Sequence, residues 1–562
     1  MAFDGIITKA VIAELKPNLI GAKVNKVYEP TKNDIVLELY NNGNNYSLNL
    51  CINPESCRIS LTTYSKPNPQ VAPNFCMLLR KYLVGGRIID ISNMDLERTV
   101  ELKFETYNEL NDLVHRKLFI EIMSRQSNII LTNENNIIID TLKHVDNSSR
   151  ELLPAHPFEF TKITKKSFVK LSNFNEFYEI VNSSEKTALS KILPVTFIGL
   201  SKTFIMQVII DTNTSDSDFS KESLEKVYNY ISEVLNNIGT NNVSCVELEN
   251  DYSLSLKENN QDLNINYFID KYYYLKESQN NFKSSKNNLL KIILATLKKE
   301  YKKLANINKK LNECSNMDTY KLYGELLTAN LYKFKNMTNV DKIELENYYD
   351  ENKIVTIPLD KTISIHKNID KYFKKYNKLK NALDIVTVQK EETENELDYI
   401  ESIVFSLENA KNMSDINEVY EEISENIVTK KEVIKKTKQG KKKQATKNEF
   451  KLSTVNIDGY TIYIGKNNIQ NDYLSLRFAD KNDYWFHTQK IHGSHVILRT
   501  NGNIDVPDEV LTKCAILAKE NSKASNSSNV PVDYCLARYV KKVPGSKPGM
   551  VIYTNYKTIH IR

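Results

Sequence analysis

The hydrophobic rhythm of the chain changes three times. Up to about residue 165 it mixes one helical stripe with short alternating runs. Ile7–Leu19 spaces its apolar residues as one face of a helix, and the β-branched, alternating stretches at 23–28, 34–39 and 46–52 read as strands. A helical stretch at 74–83 stops at Gly85-Gly86, as a helix end should. Strands are predicted again at 87–91, 99–104, 118–123, 128–131 and 137–142. From about 167 to 240 the pattern is helical and the elements are small. There the run Ile192-Leu193-Pro194-Val195-Thr196-Phe197-Ile198-Gly199-Leu200-Ser201 precedes a second apolar run, 204–210. It predicts helix, tight turn, helix, with Gly199 free to take a positive φ and Ser201 able to cap the second helix.

From about 262 to 428 the texture is different again. No glycine lies between Gly239 and Gly324 or between Gly324 and Gly440, and no proline between Pro194 and Pro358. Leu290, Ile293, Leu297, Leu304, Ile307 and Leu311 form one stripe. Tyr376, Leu379, Leu383, Val386, Leu397, Ile400, Val404 and Leu407 form another, broken by polar Lys390 and Thr393. Two such stripes around an insert at about 318–366 predict the arms of a long antiparallel coiled coil with a small tip domain; a buried helical core would give similar stripes. Residues 429–448 hold nine lysines and one glutamate and read as a basic linker. A last domain, 449–562, alternates strands with one helix, predicted at 510–520.

Composition narrows the classes. Charged residues make up 26% and apolar residues 41% of the 562, an ordinary folded balance. Lys and Arg number 76 against 70 Asp and Glu, so the net charge of +6 is too mild to argue for a nucleic-acid partner by itself. No apolar run reaches the roughly 18 residues of a spanning helix, so no membrane partner is expected. The N-terminal stripe is interrupted by Asp4, Lys9 and Glu14, unlike a signal peptide. Seven cysteines without a C-x-x-C pair argue against a zinc ribbon or a disulfide framework and for a reduced, cytoplasmic setting.

Catalytic signatures are missing. The chain has no G-x-x-x-x-G-K-[ST], G-x-S-x-G or H-E-x-x-H. His487, His492 and His495 lie close together, but no cysteine or carboxylate stands beside them at ligand spacing, so no metal and no cofactor is expected. Trp485 is the single tryptophan. With Tyr484, Phe486 and His487 it offers aromatic faces, and Gly493-Ser494 offers backbone N–H groups, a combination suited to RNA; an ordinary hydrophobic strand is the alternative. Lys541, Lys542 and Lys547 in KKVPGSKPG could hold a phosphate or form only a solvated hairpin. In the first domain, the arginines of Glu97-Arg98 and of Ser124-Arg125 could pair locally or clamp a phosphate.

Taken together, FDGIITKAVIAEL, FCMLLRKYLVGGRI, EIMSRQSNIIL, FIGLSK, YGELLTANLY, IPLDKTIS, YFKKYNKLK, DYWFHTQKIHGSHVI and VPVDYCLARYVKKVPGSKPGMVIYTNYKTI resemble the NFACT family, long labelled fibronectin-binding protein A. The resemblance implies a multidomain α+β fold. Its parts are a glycosylase-like N-terminal α/β domain (1–165), a helix-hairpin-helix module (166–245), the coiled coil with its tip (262–428) and a C-terminal α+β RNA-binding domain (449–562). It also implies a factor that binds split large ribosomal subunits obstructed by peptidyl-tRNA. Such a factor recruits alanyl-tRNA for mRNA-independent alanine tailing of stalled chains and leaves peptide bond formation to the ribosome. A monomer on the ribosome is expected. By this resemblance Asp4, Glu97, Arg98 and Arg125 are tRNA-binding, with Glu97 standing where the family has Asp. Gly199 and Ser201 belong to the helix-hairpin-helix. Trp485, His487, Gly493, Ser494 and His495 match the W-F-H…G-S-H motif of the RNA-binding domain. Two other classes remain as alternatives, a surface adhesin and a glycosylase-type enzyme. The former is opposed by the absent secretion signal. The latter is opposed by an N-terminus, Met1-Ala2-Phe3-Asp4, that lacks the proline amine of those enzymes.

Overall fold

In the computed structural model, alternation in the first 141 residues builds one antiparallel sheet of nine strands. The structure describes residues 3–148, 150–161, 164–184, 187–240, 242–256, 264–334, 339–427 and 452–562. The expected basic linker, 429–448, lies outside them. The strands are β1 (Lys23–Thr31), β2 (Asp34–Asn41), β3 (Asn44–Cys51), β4 (Arg58–Leu61), β5 (Arg87–Asn93), β6 (Thr99–Tyr107), β7 (Leu113–Glu121), β8 (Asn128–Asn133) and β9 (Ile138–Thr141). Their order is β4-β3-β2-β1-β5-β6-β7-β8-β9. β7 starts five residues before the sequence pattern suggests, because half-buried His115, Arg116 and Lys117 break the apolar run that backbone pairing with β6 continues through. Helix α1 (Gly5–Leu19) buries Ile6, Ile7, Ala10, Val11, Leu15 and Leu19, and α2 (Asn74–Leu83) buries Phe75, Cys76, Leu79 and Leu83.

A hairpin of β10 (Val145–Asn147) and β11 (Arg150–Leu152) leads to four helices, α3 (Phe174–Asn182), α4 (Leu189–Thr196), α5 (Lys202–Thr212) and α6 (Lys221–Asn236). A second hairpin follows, β12 (Ser244–Glu247) with β13 (Tyr252–Ser255). One hydrophobic cluster runs from Phe3, Leu37 and Leu102 through Phe177, Phe204 and Val227 to Tyr273. This cluster takes residues from both sides of position 165, and the chain forms two compact units, Met1–Asn280 and Asn281–Arg562.

The 51-residue helix α7 (Ile265–Ser315) begins in the first unit. The Glu14 carboxylate of α1 accepts from the amides of Ile265 and Asn266 at 2.8 and 2.9 Å, which caps two of the four amides a helix start leaves unpaired. Arg58 is buried, pairs with Glu277 at 2.6 Å and lies 4.6 Å from the Tyr273 ring.

In the second unit, α7 runs antiparallel to α9 (Ile365–Asn409), a 45-residue helix about 67 Å long at 1.5 Å per residue. Lys286 donates to the Glu408 carbonyl at 2.6 Å, and Tyr301 donates to Glu401. Leu289 and Ile293 pack with Ile400, Ile403 and Leu407. The polar break in the stripe resolves locally, since Thr393 is fully buried and its hydroxyl donates to its own helix at the Gln389 carbonyl, 2.7 Å away. Between the two helices, α8 (Met317–Ala329), β14 (Lys342–Asn347) and β15 (Lys353–Pro358) enclose a small core of Leu326, Leu327, Phe334, Ile343, Leu345 and Ile357. Helix α10 (Met413–Asn426) then packs back on α9 through Ile416, Val419 and Ile423.

The C-terminal part has β16 (Ser453–Ile457), β17 (Tyr460–Ile464), α11 (Asn468–Tyr473), β18 (Tyr484–Thr488), β19 (Val496–Leu498), α12 (Asp508–Glu520), β20 (Val530–Leu536), β21 (Val540–Lys541), β22 (Ile552–Tyr553) and β23 (Lys557–Ile561). Its main sheet is ordered β16-β17-β19-β18-β20-β23. Phe486, Val496 and Leu498 face α12, while Trp485, Ile497 and Cys535 face the opposite side with Leu474. The single helix expected here is joined by α11, which the sequence hides because Asn467–Tyr473 is almost wholly polar. It runs on into a wider π turn, Leu474–Phe478. Among the described residues no helix is long and apolar enough to cross a membrane.

Candidate functional site

Three distant segments of the first unit converge at the start of α1. Asp4 caps that helix, its Oδ1 accepting from the Ile7 amide at 3.0 Å. Ser201 caps α5 in the same way through the Phe204 amide at 3.0 Å, and its side chain hydrogen-bonds Asp4. The Gly5 amide donates to the Gly199 carbonyl at 3.0 Å. Gly199 has φ +76°, and a Cβ there would stand 2.3 Å from the Leu96 carbonyl oxygen; one on Gly5 would stand 1.9 Å from the same atom. Both glycines are thus dictated by three backbones in contact, and Gly199 also by its positive φ. Helix α4, the turn at Gly199 and helix α5 are clamped against the turn that carries Glu97 and Arg98.

Burial pushes the Asp4 carboxyl up to about 6, against the pull of the Ile7 amide, of Ser201 and of the Arg98 charge. Burial also raises Glu97, opposed by the Arg98 amide and by the charges of Arg98 and Lys165. Arg98 therefore lies in the field of two carboxylates from different segments. Its carbonyl accepts from the Ile122 amide at 2.9 Å, just beyond the β6–β7 pair. Arg125 is exposed on the short turn Ser124–Gln126 that follows β7, so both arginines emerge at the same end of that strand pair. Asp4 is buried, Ser201 and Arg98 are partly buried, and Arg125 is exposed. Gly5 and Leu96 were missed as participants because their contribution is backbone proximity, which no side-chain pattern announces.

The C-terminal motif is organised differently from the expectation. Trp485 is fully buried and His495 is 2% exposed, so neither offers a face on which a base could stack. They are instead linked through one hydroxyl. Trp485 Nε1 donates to Ser475 Oγ at 3.0 Å, and Ser475 Oγ lies 2.7 Å from His495 Nδ1. Asn471 completes the bracket, accepting from the His495 amide at 3.0 Å and donating to the Gly493 carbonyl at 3.3 Å. The Ser494 amide is not free for a ligand either, because it donates to the Asn521 carbonyl at 2.9 Å. Gly493 is required by packing, since a Cβ would lie 2.8 Å from Ser522 Cβ. Burial pushes His487 down to about 4 and holds His495 well below the usual histidine range, so both rings are neutral at pH 7. His492 lies 3.4 Å from Glu401, and among the described residues no cluster of His, Cys, Asp and Glu could hold a metal ion.

Two of the three hairpin lysines are also engaged within the chain. Lys542 pairs with Asp472, whose Oδ1 accepts from the Gly549 amide at 2.9 Å. Lys547 donates to the Asn426 carbonyl at 2.9 Å, lies 3.4 Å from Glu396 and sits 5.1 Å from the Tyr399 ring centre. Lys541 is exposed. Of the two readings the sequence left open, phosphate site or solvated hairpin, neither describes Lys542 and Lys547 as they stand here, paired within the chain. Ser475, Asn471 and Asp472 were missed by sequence reasoning, since isolated polar residues in a stretch without periodicity give no signal.

The profile for NFACT N-terminal and middle domains matches residues 4–446, and that for the NFACT protein RNA binding domain matches residues 449–555. The Rqc2 homolog RqcH of Bacillus subtilis is 33% identical over 573 aligned residues, covering 100% of this chain and 98% of that protein. The human ribosome quality control complex subunit NEMF is 25% identical over 241 residues, covering 41% of this chain and 22% of NEMF. The C-terminal part of the fibronectin/fibrinogen-binding protein of Streptococcus suis is 31% identical with a TM-score of 0.38, covering 50% of this chain and 94% of that one. The chain belongs to the NFACT family and is homologous to the RqcH and NEMF ribosome quality-control factors.

Proposed function

We propose that the chain is a ribosome quality-control factor of the cytoplasm that positions RNA and makes no bonds itself. In this reading it binds, as a monomer, a split large ribosomal subunit still carrying peptidyl-tRNA. It brings in alanyl-tRNA, so that the ribosome's own centre adds alanines to the stalled chain and marks it for degradation. The observation that carries the reading is the match to RqcH over 100% of this chain and 98% of that protein. The clamp at Asp4, Gly5, Gly199 and Ser201 agrees with it. A helix-turn-helix hairpin pinned to a turn bearing Arg98 suits a surface that grips a phosphate backbone and needs no nucleophile. In domain terms the reading assigns 1–165 to a glycosylase-like α/β domain, 166–245 to a helix-hairpin-helix module, 262–428 to a coiled coil with its tip at about 318–366, and 449–562 to the RNA-binding domain.

The residues proposed to touch tRNA are Arg98 and Arg125, with Asp4, Glu97 and Ser201 positioning them. In the last domain the candidates are the exposed Lys541 and the partly buried His487, supported by the Trp485–Ser475–His495 core. The test is co-sedimentation of the purified chain with large subunits, followed by sequencing of the bound tRNA, alongside mass spectrometry of stalled-peptide C-termini in cells with and without the protein. Enrichment of alanine tRNA and loss of alanine tails on deletion are expected. Bound tRNA with the composition of the cellular pool would defeat the tailing mechanism.

A further inference from the structure

Five carboxylates of α9 and α10 face the C-terminal domain, and each meets a hydrogen-bond donor there. Glu396 lies 3.4 Å from Lys547, Glu401 lies 3.1 Å from Lys523, and Asp415 lies 3.2 Å from Lys466. Glu418 accepts from the side-chain amides of Asn467 and Gln470, both at 2.7 Å, and Glu422 accepts from Asn468 at 2.8 Å. Asp415, Glu418 and Glu422 follow the three- and four-residue steps of a helix, which place successive side chains on one face about 5–6 Å apart. The donors come from three separate stretches of the domain, around 466–470, at 523 and at 547, yet they converge on this one ladder of negative charge.

We propose that this face of the C-terminal domain is an RNA-phosphate-binding site, and that the carboxylates of α9 and α10 occupy it in place of phosphates until RNA displaces them. The proposal rests on the RNA-binding reading above and deepens it by naming the face. Ammonium and amide donors hold carboxylate and phosphate oxygens by the same charge-assisted bonds. The three ion pairs across the joint are of an exchangeable kind. A permanent interface has an apolar centre, but among the described residues no hydrophobic cluster crosses this one. The clusters around Phe486 and around Trp485 contain only residues of the C-terminal domain, and the cluster around Ile400 contains only residues of α7, α9 and α10 and the segments joining them. The lysines of the three ion pairs are partly exposed, so these pairs are screened by salt and a polyanion that releases counterions on binding competes with them directly, while Asn467, Asn468, Gln470 and Glu422 are buried at the centre of the joint.

The test measures binding of a fluorescein-labelled 20-nucleotide oligouridylate to the full chain by anisotropy at low and moderate salt. Neutralising the ladder with Glu401→Gln, Asp415→Asn and Glu418→Gln together should tighten binding at least fivefold. Lys466→Gln, Lys523→Gln and Lys547→Gln together should weaken it at least fivefold and flatten its salt dependence. The corresponding Lys→Arg triple should keep binding, which separates lost charge from lost fold. Hydrogen exchange should also show the amides of Met413–Asn426 losing protection when the oligonucleotide is added. Equal binding by the wild type and the acid-neutralised chain, with unchanged exchange in α10, would overturn the occlusion and leave the RNA-binding reading standing. No binding by either chain would overturn both.

Discussion

Gly5 and Gly199, 194 positions apart in sequence, are joined by a 3.0 Å backbone hydrogen bond that leaves no room for a side chain on either. Gly5→Ala drives a methyl group into the Leu96 carbonyl, a backbone atom that cannot swing aside. The expected cost is about 3 kcal/mol or more, the upper range for overpacking. Calorimetry of the full chain should show the transition of the N-terminal unit lowered by about 6–12 °C, with the C-terminal transition unmoved. An unshifted transition would mean that the three backbones are not in contact.

Arg98 sits in the field of both Asp4 and Glu97 and is partly buried immediately before β6. Arg98→Ala should abolish alanine tailing while large-subunit co-sedimentation and the melting temperature stay close to wild type. The two readouts separate a lost ligand contact from a lost fold. Normal tails in that variant would remove the first unit from tRNA positioning. Glu97→Asp, one methylene shorter, should retain tailing, since the Arg98 amide that Glu97 accepts from stays within reach.

Much of this fold could be read from periodicity alone. The span of α2 emerges as predicted, and α1, α7 and α9 appear where the stripes place them, because long amphipathic runs with few glycines or prolines have one low-energy solution. What escaped notice depends on non-local partners. Strand β4 is four residues long and exists because β3 pairs with it, and α11 is a polar helix held by its Asn467 cap and by Glu418. The same division holds at the site. Gly199 and Ser201 announced a turn and a cap, whereas the buried link from Trp485 to His495 through Ser475 brings together residues whose proximity only the folded sheet creates.

Asp4 gives a stability effect with a definite sign. Its folded-state carboxyl titrates at about 6, above the ordinary 3.8, so the folded chain holds this proton more tightly than the unfolded one. Stability from this group therefore grows as pH falls from above 6 toward 4 and is lost as pH rises through 6, by an amount on the order of 3 kcal/mol. Asp4→Asn keeps an oxygen for the Ile7 amide and removes the charge. Urea unfolding of the N-terminal unit at pH 8 should find the variant more stable than wild type, and at pH 4.5 the gap should nearly close. A variant less stable than wild type at pH 8 would show that the Arg98 charge, and not burial, governs this carboxyl.

Ser475 is the hydroxyl on which the last domain's motif depends. Ser475→Ala leaves Trp485 Nε1 without its acceptor and His495 Nδ1 without its partner, both in the interior, and each loss costs roughly 1–3 kcal/mol. Because Trp485 is the only tryptophan, its emission reports this core alone. Guanidinium unfolding followed by that emission should show the variant's midpoint lowered, while the N-terminal unit, followed by circular dichroism, unfolds as before. The same fluorophore tests the burial directly. If Trp485 supports the sheet from inside, saturating RNA leaves its emission maximum in place. A strong quench or shift on RNA addition would return Trp485 to the role of a stacking surface.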